Sequence, residues 1–490
     1  MTLWGHKKDW QPVSTAFRSS ATNTPSRPHF LQRNVDSSPL LAGEIFMITV
    51  ISNTSTDTPD DPLSNHTASL DAHHAGSASA EINEQDLFLQ KRRFITKLGK
   101  ALHKYGTPAY RLETHLQEVS KFLQLQSNFM VTPTSLTFVI SEADEDKQEY
   151  SHIVRVKPGE LDLGALARID ELVDELASKQ RTLSEALERL NDIPRKPHPY
   201  GTVLAFLSYG GASGAFAMLM QTNWSSILWS ALIGFAVFVI QLWSERSPRI
   251  AGALEPLIAL LAALLASAIA VYDPTINVSL VILSSIIVYI PGLALTLGLS
   301  ELAARNLMSG TARIMDAVMS LFKLYFGAAL GVSIARLCWP DTIYVSAINV
   351  PLWTSWLAVT VLGLSLVVLF KMRIKDTPWG MLSGYIAYSA TLWGSIYLGP
   401  ALGGFIGAFA LGMYSNLFSR VKHLPSTIVM LLGLVMLVPG SKIYIGLNTV
   451  VSGESIINTP DIGAQSFLIL MSLVAGLIFA DVALPPQESL

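Results

Sequence analysis

Beyond residue 200 this chain is built of apolar runs, and their length dictates what they can become. Ten of them, near 202–220, 226–243, 251–271, 277–298, 314–335, 352–370, 380–397, 400–418, 427–447 and 464–482, approach the twenty residues that a helix needs to cross a bilayer. Lipid offers no partner to a backbone N–H or C=O, so such runs fold as helices that satisfy themselves. Charge divides the chain at the same place. Only 12 of its 34 Lys and Arg and 11 of its 37 Asp and Glu lie past residue 200. The first 200 residues therefore read as soluble sequence and the remaining 290 as membrane sequence.

The loops test the count. With the N-terminus inside, nine basic residues fall in inside loops: Arg246, Arg249, Arg305, Arg313, Lys371, Arg373, Lys375, Arg420 and Lys422. Two fall outside, Arg336 and Lys442. This bias predicts ten spans with both termini cytosolic. The expected fold is a polytopic all-α membrane protein, its ten transmembrane helices forming two inverted five-helix repeats, 200–337 and 350–483. A small α+β cytosolic domain, 85–193, and a disordered tail, 1–84, come before them.

The tail is rich in Ser, Thr, Asn, Pro and His and has little periodicity. Order is predicted from about Glu84, where Leu87, Phe94, Leu98 and Leu102 recur at helical spacing and Gly106 ends the helix. Thr107 should cap a second helix with Pro108 at its first position. Alternation at Leu136, Phe138 and Ile140, and again over 153–156, predicts two strands. Two amphipathic helices follow, 163–178 and 183–190.

Two of the membrane runs are interrupted in the same way. Pro291-Gly292 breaks the fourth, and Pro439-Gly440 breaks the ninth within VMLVPGSKIYIGL. Proline removes a donor and glycine weakens helical preference, so both helices should unwind there. Irregular backbone at membrane depth belongs beside a cavity, and interrupted helices in matching positions of two halves point to a secondary transporter's site. Pro291, Gly292, Pro439, Gly440, Ser441, Lys442 and Ser320 are the candidate substrate-binding residues. On the fifth span Asp316, Ser320, Lys323, Gly327 and Gly331 share one polar, small face. Ionisable groups inside a membrane mark functional sites, so Asp316 and Lys323 are candidates for proton coupling or gating. Glu301 and Arg305, four apart at the end of the fourth span, are a candidate gate or a simple i,i+4 pair. Arg313 at the edge of the fifth span is placed to snorkel. Shifted by one from the proline register, Gln465, Ser472 and Gly476 of the tenth span correspond to Asp316, Lys323 and Gly327.

Other classes lose support. A net charge of −3 gives no nucleic-acid footprint, a lone Cys338 gives no disulfide framework, and no phosphate-binding Walker loop occurs. No cofactor or metal is expected.

The runs KLGKALHKYGTPAYRLETHLQEV (97–119), VTPTSLTFVIS (131–141) and IVRVKPGELDL (153–163) resemble the cytosolic region of the threonine/serine exporter family. The IPG and LVPGS segments extend the likeness over about residues 86 to 483, and it is strongest to the fungal, pheromone-regulated branch. YGTPAYRLE carries the most specific match, at Tyr105, Gly106, Pro108, Arg111 and Glu113, with Pro133 further on. The resemblance implies ten spans and proton-driven export of threonine and serine, so its partners are lipid, a small amino acid and the proton, in an oligomer or alone. The alternative expectation is a membrane organiser that transports nothing and binds a partner through its α+β domain.

Overall fold

The protein is described by a computed structural model over residues 65–142, 149–157, 159, 161–195, 199–339, 345, 347–437, 444–445 and 462–486. The second proline-glycine site, Pro439, Gly440, Ser441 and Lys442, lies outside the described residues.

Helix α1, Asn65–Lys104, starts twenty residues before the composition of the chain suggests order, and buries Phe94, Ile95, Leu98 and Leu102. Gly106, at φ +91°, turns the chain where a side chain would collide with Leu161. Helix α2, Ala109–Phe122, puts Leu112, Leu116 and Val119 into the same core. Its N-cap is Pro108 rather than Thr107, and no side chain of the domain caps it. Strands β1 (Leu125–Val131), β2 (Ser135–Glu142) and β3 (Tyr150–Arg155) form one antiparallel sheet in that order. β1 had no clear signature, because Ser127 interrupts its apolar alternation. Pairing with β2 and the Phe129–Phe138 edge-on ring contact compensate. Helices α3 (Leu163–Ala177) and α4 (Leu183–Asp192) complete the domain, each started by a local cap, Asp162 and the Thr182/Glu185 box.

The apolar region follows as α5 (Gly201–Leu219), α6 (Trp224–Arg246), α7 (Leu254–Tyr272), α8 (Val278–Ser285), α9 (Gly292–Ala303) and α10 (Leu307–Cys338). After these come α11 (Thr354–Leu369), α12 (Thr377–Lys422), α13 (Thr427–Leu437) and α14 (Ile462–Ala483). Among the described residues, six helical stretches are long and apolar enough to cross a membrane. The bent pair Val278–Ser285 and Ile287–Ala303 makes a seventh, and α11 and α13 are shorter apolar helices. In their described residues the ten apolar runs fall mainly on helix, two of them inside α12, the fourth with a break before Gly292 and the ninth described only to Leu437 and at 444–445.

α12 is a hairpin. Gly399 adopts φ +82°, ψ +164°, a conformation open essentially to glycine alone, and reverses the chain. Gly403 then closes on Ser395 and Gly407 on Thr391, so the small-residue repeat at 399, 403 and 407 packs the two limbs together.

Two further crossings match in form. Gly327 of α10 abuts the Pro256 backbone of α7 so closely that an added Cβ would come within 2.2 Å. Gly476 of α14 meets Phe405 and Ala408 of α12 in the same manner, at 2.5 Å from the Phe405 carbonyl. These are the two glycines that the shifted proline register equates. α5 packs on both α6 and α11, which ties the helices before residue 339 to those after residue 353.

Candidate functional site

The fourth apolar run breaks where Pro291-Gly292 stands. The helical ladder of α8 stops at Ser285, a single 3-10 turn covers Ile287–Tyr289, and Ile290 is extended at φ −70°, ψ 118°. Pro291 caps α9, which leaves at 56° to the first limb. A cavity of about 780 Å³ lies against this break. Ile287 to Ala294 form one wall, Tyr209 of α5 and Gln241 of α6 another, and Leu362 and Leu366 of α11 a third. It extends to the side that carries the α+β domain, where Leu161, Glu245 and Lys371 line it.

The polar lining is sparse and ordered. Tyr289 donates to Gln241 Oε1 at 2.6 Å, and its hydroxyl lies 3.3 Å from that of Tyr209. The first turn of α9 opens onto the cavity at Gly292, Leu293 and Ala294, and a helix start offers N–H groups and positive dipole. An apolar pocket with a few convergent polar groups is the usual form of a small-molecule site. Tyr209, Gln241 and Tyr289 were not singled out in sequence. Their only signal is being polar-tipped residues inside apolar runs.

Other candidates lie elsewhere. Asp316 is exposed on α10 and Ser320 is half-buried, and neither lines the cavity. Lys323 pairs with Glu255 Oε1 at 3.8 Å rather than with a group of its own helix. Arg305 is exposed at φ +65°, where the chain leaves α9, and does not pair with Glu301. Glu301 is fully buried, and Arg313 takes both of its oxygens, at 2.9 and 3.1 Å. Ser309 donates to its Oε2 at 2.9 Å and the Ala109 backbone N–H to its Oε1 at 3.1 Å. The i,i+4 reading failed because α9 ends at Ala303, which carries Arg305 off the helix. Arg313 instead returns on α10 to the buried carboxylate.

The YGTPAYRLE stretch proves to be the joint between domain and membrane helices. Tyr105 is core and Gly106 turns. Pro108 sets the start of α2 over Glu301. Arg111 donates to Ser426 Oγ at 2.7 Å and touches Met430 Sδ at 3.9 Å, at the head of α13. Glu113 accepts from Val131 N at 2.8 Å and from Asn306 Nδ2 at 3.3 Å. Pro133 shapes the turn that Thr132 and Ser135 close between β1 and β2. A second joint joins Glu171 of α3 to Arg373 and Lys375, at 2.9 and 2.8 Å.

A bundle of long apolar helices with a broken one beside a cavity defines an integral, multi-pass membrane protein. Residues 93–335 match the family described as "Putative threonine/serine exporter", and residues 355–483 match "Threonine/Serine exporter, ThrE". The chain belongs to the threonine/serine exporter family. Among curated relatives, an uncharacterized protein of Schizosaccharomyces pombe is 24% identical over 84% of this chain and 57% of its own length. Pheromone-regulated membrane protein 10 of Yarrowia lipolytica is 26% identical over 72% of this chain and 30% of its own length. The protein of that name from Eremothecium gossypii is 24% identical, over 72% and 48%. The chain thus spans between 30% and 57% of the length of these relatives. No solved structure matches.

Proposed function

We propose that this protein is a secondary transporter that moves a small amino acid of the threonine/serine type through the cavity at Pro291-Gly292. The observation that carries the reading is the unwound wall. Ile287 to Gly292 replace a helical ladder with backbone turned towards a cavity, the arrangement expected of a transporter's discontinuous helix. The α9 start would take the substrate carboxylate, and the Tyr209, Tyr289 and Gln241 groups its hydroxyl or ammonium. Pro439, Gly440, Ser441 and Lys442 complete the site from the second half in this reading.

Ten spans in two inverted halves fit the packing. The glycine crossings of α7 with α10 and of α12 with α14 support a repeat. Loops at 301–313, 371–376 and 425–430 all touch the α+β domain, as an even number of spans between them requires. The first two hold basic residues, and Arg420 and Lys422 lie just before the third, which favours a cytosolic domain and an inward-facing cavity. Export is then the direction in which a cytosolic solute would leave.

The coupling ion in this reading is the proton. Asp316, which has no ion-pair partner among the described residues, would carry it, with Ser320 and Lys323 nearby on α10. Glu301 has both oxygens committed to Arg313, Ser309 and Ala109, and suits a fixed joint.

The test is counterflow of labelled serine and threonine into vesicles holding the purified protein. Exchange that saturates supports the reading, and its absence in correctly inserted protein rejects it. Asp316→Asn should abolish flux driven by a pH gradient and leave counterflow intact; unchanged driven flux would remove Asp316 from the coupling role.

A further inference from the structure

A row of buried serines continues the Pro291 cavity away from the α+β domain. On α5 Ser213 stands one turn beyond Tyr209, and on α8 Ser285 stands one turn before Tyr289. On α6 Ser230 stands about three turns before Gln241. Tyr209, Gln241 and Tyr289 line the cavity, which extends the other way, to Leu161 of the domain; the serines line none of it. All three serines are at most 2% exposed.

Hydrogen bonds bring them together. Ser213 donates to the Ser285 carbonyl at 3.3 Å, and Ser285 divides its hydroxyl between Val281 O at 2.7 Å and Ser230 O at 3.4 Å. Farther from the cavity, the N–H of Asn277 at the start of α8 donates to Ser226 Oγ at 3.3 Å. Ser226 lies one turn before Ser230 on α6, and Gly234, one turn after it, is pressed on Ser213 and the Tyr209 carbonyl of α5. Ser230 therefore sits between contacts to α8 and contacts to α5. Its hydroxyl nonetheless has no hydrogen-bond partner among the described residues, and neither has that of Ser284, which is also fully buried. A serine that only packs in a membrane helix returns its hydroxyl to the carbonyl four residues back, as Ser208 does to Leu204 at 2.8 Å. Ser230 lacks that bond. A buried hydroxyl left unpaired is costly, and the partner small enough to enter between helices is water.

The two sides of this seam are held differently. α5 and α6 are locked through glycine, Gly210 on Phe235 and Gly234 on Ser213. α8 is eight residues long and ends at the break, and its bonds to that pair at 3.3 to 3.4 Å are long ones. We propose that the seam is a water-binding path, the part of the route that opens from the cavity to the face opposite the α+β domain. α8 moves on the Ile287–Pro291 turn while the α5–α6 pair holds still, and Ser213, Ser230 and Ser285 supply the hydroxyls that water or a passing polar solute meets. The inference rests on the transport reading for its purpose, but water in the seam is measured without flux.

The experiment places one thiol there. Ser230→Cys in a Cys338→Ser background changes the side chain by one atom, and Ser213→Cys is a second reporter across the seam should the first not fold. Ala262→Cys, equally buried but among apolar residues of α7, is the comparison. Full-length protein in sealed vesicles is treated from outside with a charged, membrane-impermeant methanethiosulfonate. Labelling is scored on the molecules whose α+β domain survives external trypsin, since that domain is then inside. A thiol reached by water should react about tenfold faster than Ala262→Cys or more, because the thiolate is the reactive form and the reagent arrives only through water. Equal rates at the seam and at Ala262 would overturn the proposal. Threonine counterflow is followed in the same vesicles. Labelling without counterflow removes the amino-acid cargo and keeps the wet seam; counterflow without labelling puts the exit elsewhere and overturns the proposal.

Discussion

The Glu301 carboxylate accepts the backbone N–H of Ala109 across 192 positions of sequence, at 3.1 Å. A helix start normally recruits its cap from the preceding turn. Here the cap of α2 comes from the end of α9, and the same carboxylate holds Arg313 and Ser309. The first turn of α2 is thereby fixed to the helix that leaves the Pro291 break.

Removing the Glu301 charge should loosen that joint. Breaking a buried, hydrogen-bonded pair by changing one partner costs about 3–5 kcal/mol. Glu301→Gln is therefore expected to lower the unfolding temperature in detergent and to open the linker near residue 199 to limited proteolysis. Equal stability and equal cleavage would mean that the carboxylate contributes nothing to docking.

The hairpin of α12 depends on one backbone conformation. Gly399→Ala forces a side chain into a region that costs about 1–3 kcal/mol. Thermal unfolding of the purified variant should show the loss. Gly201, also at positive φ and also with nothing within 4 Å of an added Cβ, serves as the comparison.

At the Pro291 cavity, Tyr289→Phe removes the hydroxyl that donates to Gln241. A hydrogen bond of this kind is worth about 1 kcal/mol, or roughly fivefold in an equilibrium. Counterflow of threonine should weaken by that order through its half-saturation concentration, with protein yield unchanged.

The pH dependence of stability has a sign that one variant can check. His115 titrates at about 4 when folded and near 6.5 when free, because burial disfavours its charged form. Between those values the unfolded chain binds the proton that the folded one refuses, so stability falls as pH drops from about 6.5 to 4. The full effect is on the order of 3 kcal/mol. Asp174, raised by burial from 3.8 to about 6, acts oppositely and costs stability as pH rises through that range. Denaturation curves of His115→Gln against the parent isolate the first contribution. The variant should lose less stability on acidification, and parallel curves would contradict it.

Helix positions could be read in advance because they are local. Twenty apolar residues, a proline-glycine pair and a row of basic loops each act through backbone chemistry within a few turns, so the runs, the break before Gly292 and the helices of the α+β domain were legible. Partnership was not. Glu301 looked towards Arg305 four positions on, and the end of α9 gave it Arg313 instead. Lys323 shared a helix face with Asp316, and crossing helices gave it Glu255. The YGTPAYRLE stretch was recognisable as a pattern, but its purpose as a joint to α9 and α13 appeared only when distant loops met around it.

Sequence alone determined the apolar runs, the break before Gly292 and which part belongs in lipid, because solvent and backbone impose those limits segment by segment. Tertiary structure decided which helices approach through glycine, which carboxylate holds which cation, and that a cavity lies against the break. Those outcomes depend on side chains brought together from remote segments, and proximity in space is not written in spacing along the chain.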